Sequence, residues 1–283
     1  MSLSFHEAVV RCLRQGKRLA LVTLIETQGS TPRKAGARMA VAEDGTLVDS
    51  VGGGALEALV LEDAKALLGT GGSQVKEYIL REGEDPGSTG MVCGGRVRVH
   101  LQVELPPERL LIFGAGHVGA ALAAVARPLG FATTVLDDRR EFLDPARLPE
   151  GVEIWPLGPD FAGELPPVDA ATYVAVVTRC HRTDLAALRR VLETPACYVG
   201  LIGSRRKVRV VLERLRREGF PESRLGGLRA PIGLPIGACT PAEIAVSIAG
   251  EMIQARRGFA LSSAANLPVG LPRPAERHRR GGV

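Results

Sequence analysis

The fold of this chain is decided by the segment LLIFGAGHVG, residues 110–119. A short apolar run enters a complete G-x-G-x-x-G pattern, and a helical pattern begins directly after it. Strand, tight turn and helix in this order are typical of a dinucleotide-binding Rossmann fold. In such a turn Gly114 permits the tight bend, Gly116 lets the backbone approach a pyrophosphate, and Gly119 lets the helix pack closely on the strand.

The residues after this turn predict a nucleotide site. Asp137 follows the second predicted strand, roughly 20 residues beyond the glycines, where a carboxylate accepts hydrogen bonds from an adenosine ribose. Its charge favours NAD over NADP, whereas Arg139 and Arg140 beside it weaken that preference. FAD and S-adenosylmethionine are bound through a similar carboxylate, so the nucleotide itself stays open.

Two histidines are candidates for ligand contact or proton transfer. His117 occupies a free position of the glycine motif and should lie near the phosphates. His181 follows a buried predicted strand in the segment TRCHRTD, residues 178–184, and ligands bind at the carboxyl ends of such strands. Asp184, at the end of that segment, is predicted to cap the next helix.

Strands and helices alternate through the second half of the chain. Predicted strands cover 110–113, 133–136, 174–177 and 198–202, and predicted helices cover 117–129, 184–192, 205–217 and 241–256. This alternation indicates an α/β protein with a Rossmann-like, doubly wound parallel sheet. The last helix should begin with a capping box formed by Thr240 and Glu243.

A different domain precedes the Rossmann-like part of the chain. Predicted helices at 4–15 and 55–68, a hairpin over 37–51 and strands at 19–25, 74–80 and 96–103 indicate a mixed α+β domain. The prolines of LPPE, residues 105–108, form a linker. We therefore expect an N-terminal domain at 1–105, a Rossmann-like domain at 106–258 and a disordered basic tail at 259–283.

Three loops of the N-terminal domain could hold a ligand. They are TQGSTPRKAG at 27–36, VGGG at 51–54 and CGG at 93–95. Glycines let a ligand approach backbone N–H groups, arginine donates to phosphate or pterin oxygens, and a thiolate binds a soft metal. The candidate binding residues are Gly52, Gly53, Gly54, Cys93, Gly94 and Arg33, with Cys93 the candidate metal ligand. Thr31, Lys34 and Arg38 are further candidate donors to phosphate or pterin oxygens.

Composition narrows the function classes. The 283 residues suit two globular domains, and the five cysteines have neither zinc-site nor disulfide-framework spacing. No apolar run reaches the ~20 residues of a membrane span, and no signal-peptide pattern opens the chain, so we expect a cytoplasmic protein. The net charge of +5 comes from clusters without interleaved aromatics, so no nucleic-acid partner is expected.

Several motifs together resemble the XdhC/CoxI family of xanthine dehydrogenase accessory proteins, from about residue 22 to 258. They include GSTPRKAGARM at 29–39, SVGGG at 50–54, MVCGG at 91–95, LLIFGAGHVGAAL at 110–122 and APIGLPIGACTPAEIAVSIAGE at 230–251. The resemblance implies a molybdenum-cofactor chaperone that protects the cofactor and passes it to xanthine dehydrogenase or a related molybdenum hydroxylase. It further implies a homodimer, a cysteine desulfurase as a second partner, and a regulatory or ligand-binding role for the Rossmann domain.

One position departs from the family pattern. Many relatives have a cysteine directly after the glycine run, as in V-G-G-G-C-x-E, where this chain has Ala55. If that thiol ligates molybdenum in relatives, this protein does without it or relies on Cys93.

The alternative hypotheses are an NAD-dependent oxidoreductase, with His181 or His117 at its centre, and a regulator that senses NADH.

Overall fold

The computed structural model describes residues 3–80 and 94–258, which form two compact units. The first unit runs to Arg109 and includes Leu129–Ala132; the second comprises Leu110–Pro128 and the residues from Thr133 onward. Cys93 and the predicted tail at 259–283 lie outside the described residues.

The first unit is an antiparallel sheet with helices on both faces. Its elements are α1 (Leu3–Arg14), β1 (Leu19–Gln28), β2 (Arg38–Ala42), β3 (Leu47–Asp49), α2 (Gly54–Thr70), β4 (Ser73–Leu80) and β5 (Gly95–Glu104). The strand order is β3-β2-β1-β5-β4, and each neighbouring pair is antiparallel.

Alternation along β1 explains why the sheet is covered on both sides. Ala20, Val22 and Leu24 are fully buried and share a core with the apolar face of α2. Leu19 points the other way and packs with residues of α1, among them Phe5. Successive strand residues face opposite sides of a sheet, so one strand supplies both cores.

The second unit is built around a five-stranded sheet. Its elements are β6 (Arg109–Phe113), α3 (His117–Ala126), β7 (Ala132–Asp137), β8 (Glu153–Pro156), β9 (Thr172–Val176), α4 (His181–Val191), β10 (Tyr198–Leu201), α5 (Arg205–Arg217), α6 (Glu222–Leu225) and α7 (Pro241–Arg256).

The strand order β10-β9-β6-β7-β8 is that of a Rossmann fold, with the first strand in the middle. The pairs β9–β10 and β7–β8 are parallel. A ligand crevice is expected where the order reverses, between the carboxyl ends of β6 and β9. The predicted fold class, a mixed N-terminal domain followed by a Rossmann-like parallel sheet, is confirmed.

Local sequence signals predicted one helix start correctly and another wrongly. The capping box of α7 is present, with the Thr240 side chain accepting from the backbone N–H of Glu243. Asp184 does not cap α4: the helix begins at His181 after Cys180, so Asp184 lies inside its first turns and is fully buried.

Among the helices of residues 3–80 and 94–258, none has the length and apolar character needed to cross a bilayer.

Candidate functional site

In the first unit, two of the glycine loops are in direct contact. A Cβ built on Gly52 would lie 2.9 Å from Cβ of Pro32 and 3.6 Å from Cγ of Arg33. Contacts below 3.0 Å do not occur between real Cβ atoms and their neighbours, so the loop at 27–36 closes against the loop at 50–54 only because Gly52 has no side chain.

The third loop meets the same segment from another side. Ser30 forms a parallel bridge with Gly94, and a Cβ on Gly95 would lie 2.2 Å from the carbonyl oxygen of Ser30. Residues 27–36, 50–54 and 94–95 thus form one loop cluster, which brings the predicted binding glycines together. Cys93 directly precedes the third of these segments in sequence and lies outside the described residues.

The glycine run leads into the N-terminus of α2. Gly52, Gly53 and Gly54 all have positive φ, at 139°, 72° and 63°, which other residues rarely adopt. A Cβ built on Gly53 meets nothing within 4 Å, so the space above this backbone is open to a ligand. Ala55, where many relatives have cysteine, is exposed in the first turn of α2.

Ser50 and Glu57 hold this turn in place, a role that sequence reasoning did not give them. The Glu57 carboxylate accepts from the backbone N–H of Gly53 at 3.1 Å and from the Ser50 hydroxyl. The Ser50 oxygen in turn accepts from the N–H of Gly52 at 3.1 Å. The role of Glu57 could have been predicted, because an acidic residue in the first helical turn after a glycine run accepts hydrogen bonds from the N–H groups at the helix start.

The cationic side chains of the loop cluster are free to meet a ligand. Arg33 and Lys34 are exposed, and within the described part of the chain neither forms an ion pair. The loop cluster therefore combines open backbone, a helix N-terminus and unneutralised positive charge, which together suit an anionic ligand.

In the second unit, the glycine turn has the close contacts that its sequence predicts. A Cβ on Gly114 would lie 2.7 Å from the carbonyl oxygen of Val177, and one on Gly119 would lie 1.8 Å from that of Gly114. Gly116 differs, because nothing lies within 4 Å of its Cβ position and no side chain caps α3 there. Its surroundings leave room for a phosphate at the helix N-terminus.

Asp137 lies at the end of β7, yet its carboxylate is only 1% exposed and is engaged by the protein. One oxygen accepts from the N–H of Ala115 at 2.8 Å, and the other accepts from the N–H of Arg139 at 3.0 Å. The Arg139 guanidinium also contacts both oxygens, at 3.1 and 3.2 Å, and stacks on the ring of Phe142. A ribose reaches this carboxylate only if Arg139 moves.

The adjacent acid is neutralised by a second arginine. Asp138 receives two hydrogen bonds from the Arg179 guanidinium, at 2.5 and 2.9 Å. This pairing lowers the pKa of Asp138 and raises that of Arg179. The two acids after β7 are thus balanced by two guanidinium groups, so this corner of the crevice carries little net charge.

The remaining candidates lie where helices follow the strands. His117 is the first residue of α3 and His181 the first residue of α4, and both are exposed. Cys180 caps α4, and its pKa is lowered by hydrogen bonds from the Thr183 hydroxyl and from backbone N–H groups of the helix start.

A buried ion pair lies beside that helix start. The Lys207 ammonium is 2.5 Å from Oδ2 of Asp184, and the Thr178 hydroxyl donates to Oδ1 at 2.7 Å. Burial nevertheless raises the pKa of Asp184, since desolvation disfavours its charged form.

Among the described residues, no three histidine, cysteine, aspartate or glutamate side chains are grouped as a metal site would require.

These features define a class of protein: an antiparallel domain with converging glycine loops, followed along the chain by a Rossmann domain. Two family models match it, the XdhC Rossmann domain over residues 110–252 and the XdhC and CoxI family over residues 12–79. The chain belongs to the XdhC and CoxI family, as its motifs predicted.

Three curated relatives are similar over most of this chain. The uncharacterized protein YqeB of Escherichia coli K12 is 35% identical over 84% of the chain, which spans only 43% of YqeB. A Bacillus subtilis 168 protein, named as a probable xanthine dehydrogenase subunit, is 25% identical, covering 91% of this chain and 99% of its own length. The molybdenum cofactor insertion chaperone PaoD of E. coli K12 is 24% identical, covering 87% and 86%.

A solved structure supports the fold. The crystal structure of a xanthine dehydrogenase from Bacillus halodurans superposes with a TM-score of 0.50 at 24% identity, covering 94% of this chain and 98% of that one. At this level of identity the similarity establishes the fold and nothing more.

Proposed function

We propose that this protein binds the molybdenum cofactor as cargo and delivers it to a xanthine dehydrogenase or a related molybdenum hydroxylase. The observation that carries the proposal is the loop cluster at the N-terminus of α2, in a chain of the XdhC and CoxI family. The names of two relatives, a cofactor insertion chaperone and a xanthine dehydrogenase subunit, support the same cargo and the same class of recipient.

The chemistry of the loop cluster fits a pterin that carries phosphate. Open backbone at Gly53 allows close approach, the start of α2 favours negative charge, and Arg33 donates to oxygens. The cluster's described residues contain no thiol, and Ala55 replaces the cysteine of many relatives. In this proposal residues 1–105 hold the pterin through backbone and cationic groups, and Cys93 is the candidate thiolate for molybdenum.

A matched pair of glycine substitutions tests this binding site. Gly53 and Gly71 flank α2 with nearly the same backbone, φ 72° and ψ −178° against φ 78° and ψ −179°, and a Cβ meets nothing within 4 Å at either. Alanine should therefore strain both positions equally, by about 1–3 kcal/mol.

Only Gly53→Ala places a methyl group in the loop cluster. We expect it to reduce retention of molybdenum cofactor, read as pterin fluorescence after oxidation of the gel-filtered complex, whereas Gly71→Ala retains it. Equal retention by both variants, or no retention by the wild-type protein, would contradict the proposed function.

The setting of this role is also proposed. The thiols of Cys12, Cys180 and Cys239 are free, which suits a reducing cytoplasm. A homodimer, and a cysteine desulfurase that supplies the terminal sulfur of the cofactor, complete the proposal on family resemblance. Size-exclusion chromatography with light scattering and a pull-down with the desulfurase test these two expectations.

A second candidate function is supported by the open N-terminus of α3. Gly116 leaves space for a pyrophosphate, so the second unit is proposed to bind NAD(H), as a regulator that senses NADH or as an NAD-dependent oxidoreductase. Fluorescence titration with NADH tests binding. Steady oxidation of NADH by an added acceptor would favour the oxidoreductase, and binding without turnover would favour the sensor.

A further inference from the structure

A groove beside the loop cluster contains positive charge that the proposed function has not used. Two cavities, of about 120 and 220 Å³, share the lining residues Phe5, His6 and Arg38 and therefore adjoin each other beside α1; the smaller cavity is the groove. The first cavity extends to Arg33 and Ser50, which belong to the loop cluster. The second extends over the sheet to Thr23 and His100.

Arg38 at the centre of this groove is half-buried and has no carboxylate partner among the described residues. Within the same part of the chain its guanidinium makes one side-chain hydrogen bond, to Nε2 of His6 at 3.2 Å. Arginine cannot lose its proton, so it donates and the imidazole nitrogen accepts. The pair therefore leaves the positive charge of Arg38 uncompensated, and the other N–H groups of its guanidinium remain available to a ligand.

The charges around the first cavity favour an anion, because positive groups outnumber negative ones there. Its lining contains two guanidinium groups, those of Arg33 and Arg38, and one carboxylate, that of Asp49. Asp49 accepts from the neighbouring N–H of Ser50 at 2.8 Å, which holds its carboxylate against the local backbone. A phosphate monoester carries about −1.5 to −2 charges at neutral pH and matches two guanidinium groups better than a single carboxylate ligand does.

We propose that the groove between His6, Arg33 and Arg38 binds a phosphate monoester, and that in the loaded protein this is the phosphate of the molybdopterin held by the loop cluster. The assignment to molybdopterin rests on the proposed function; the phosphate site itself does not. A cavity of about 120 Å³ is smaller than the several hundred Å³ that enclose a whole organic ligand, which suits the terminal phosphate of a pterin lying outside it.

The test compares pterins with and without the phosphate. The fluorescent oxidation product of molybdopterin is titrated into the protein before and after treatment with phosphatase. Wild-type protein should bind the phosphorylated form roughly 10- to 100-fold more tightly, the range expected for a charge-assisted hydrogen bond. Arg38→Gln should abolish this preference, and Arg38→Lys should retain part of it.

Lys65→Gln is the matched control, because Lys65 is exposed on α2 and is unpaired within the described part of the chain. Circular dichroism establishes that each variant is folded. Equal affinity of wild-type protein for both pterins, or a preference that survives Arg38→Gln, would overturn the molybdopterin assignment.

Inorganic phosphate separates this proposal from the proposed function. It is titrated calorimetrically at constant ionic strength, because salt screens exposed charges. If neither pterin binds but phosphate binding depends on Arg38, the cofactor function fails and the phosphate site stands for another monoester, such as a nucleotide. If phosphate binds equally to wild-type protein and Arg38→Gln, or to neither, the phosphate site itself is refuted.

Discussion

Replacing Lys207 with methionine should destabilise the second unit strongly at neutral pH. Its ammonium lies 2.5 Å from Oδ2 of Asp184, and this oxygen has no further partner among the described residues. Asp184 is fully buried, so the variant leaves a buried carboxylate whose one remaining side-chain hydrogen bond, among the described residues, comes from the Thr178 hydroxyl. Removing one member of a buried ion pair costs about 3–5 kcal/mol, and because the Lys207 side chain is 27% exposed the loss should lie at the lower end of that range.

The pH dependence of this loss follows from the pKa of Asp184. Burial raises it in the native state, and the bonds to Lys207 and Thr178 offset only part of that rise. A carboxyl whose native pKa is raised stabilises the fold below its unfolded pKa, and that contribution disappears as the pH rises through the native pKa. Lys207→Met raises the native pKa further, at about 1.4 kcal/mol per unit. The difference from wild type should therefore shrink as the solution is acidified.

The single tryptophan makes the measurement specific to this unit. Trp155 lies in β8, and its ring packs against the core of the second unit. Urea unfolding followed by Trp155 fluorescence at pH 7 and pH 5 gives the free energy of unfolding at each pH. Arg206→Met is the control, since Arg206 is exposed on the same helix and is unpaired among the described residues. A loss no larger than that of the control, or one independent of pH, would refute the reasoning.

Four further substitutions test individual positions. Gly119→Ala should destabilise the second unit by about 1–3 kcal/mol or more in urea unfolding, because its Cβ would lie 1.8 Å from a carbonyl oxygen. Gly116→Ala should change the free energy of unfolding by no more than about 0.5 kcal/mol and should weaken NADH binding in a fluorescence titration. Arg139→Ala should uncover the Asp137 carboxylate and tighten NADH binding in fluorescence titration; an unchanged affinity would show that the ribose does not bind this carboxylate. Ala55→Cys should fold normally, since Ala55 is exposed, and should retain more molybdenum by elemental analysis than Ala55→Ser; equal retention would show that the added thiol is no ligand.

The Rossmann sheet could be predicted because its signals are local. Apolar strands, the glycine turn and the capping box of α7 each lie within a few adjacent residues, and their backbone requirements do not depend on distant partners. The short strand β8 was not predicted. It has four residues, ends in a proline and is at most half-buried, so it shows neither alternation nor a continuous apolar run.

Asp184 shows why the contacts of buried charged residues were harder to predict. A polar residue between a strand and a helix normally caps that helix, and sequence offers no reason to bury it. The structure starts α4 three residues earlier and places Asp184 against Lys207 of α5. Which cation meets a buried carboxylate depends on how two helices pack, and periodicity does not contain that information.

The glycine turn and the family to which the chain belongs could be recognised from the amino-acid sequence alone, because both depend on residue types at fixed short spacings. Only the tertiary structure brought the loops at 27–36, 50–54 and 94–95 into one cluster and placed Arg38 beside His6, with no counter-charge among the described residues. It also covered Asp137 with Arg139. Distances between segments far apart in sequence are set by the packing of the sheet and its helices, and the charges that a ligand meets are decided there.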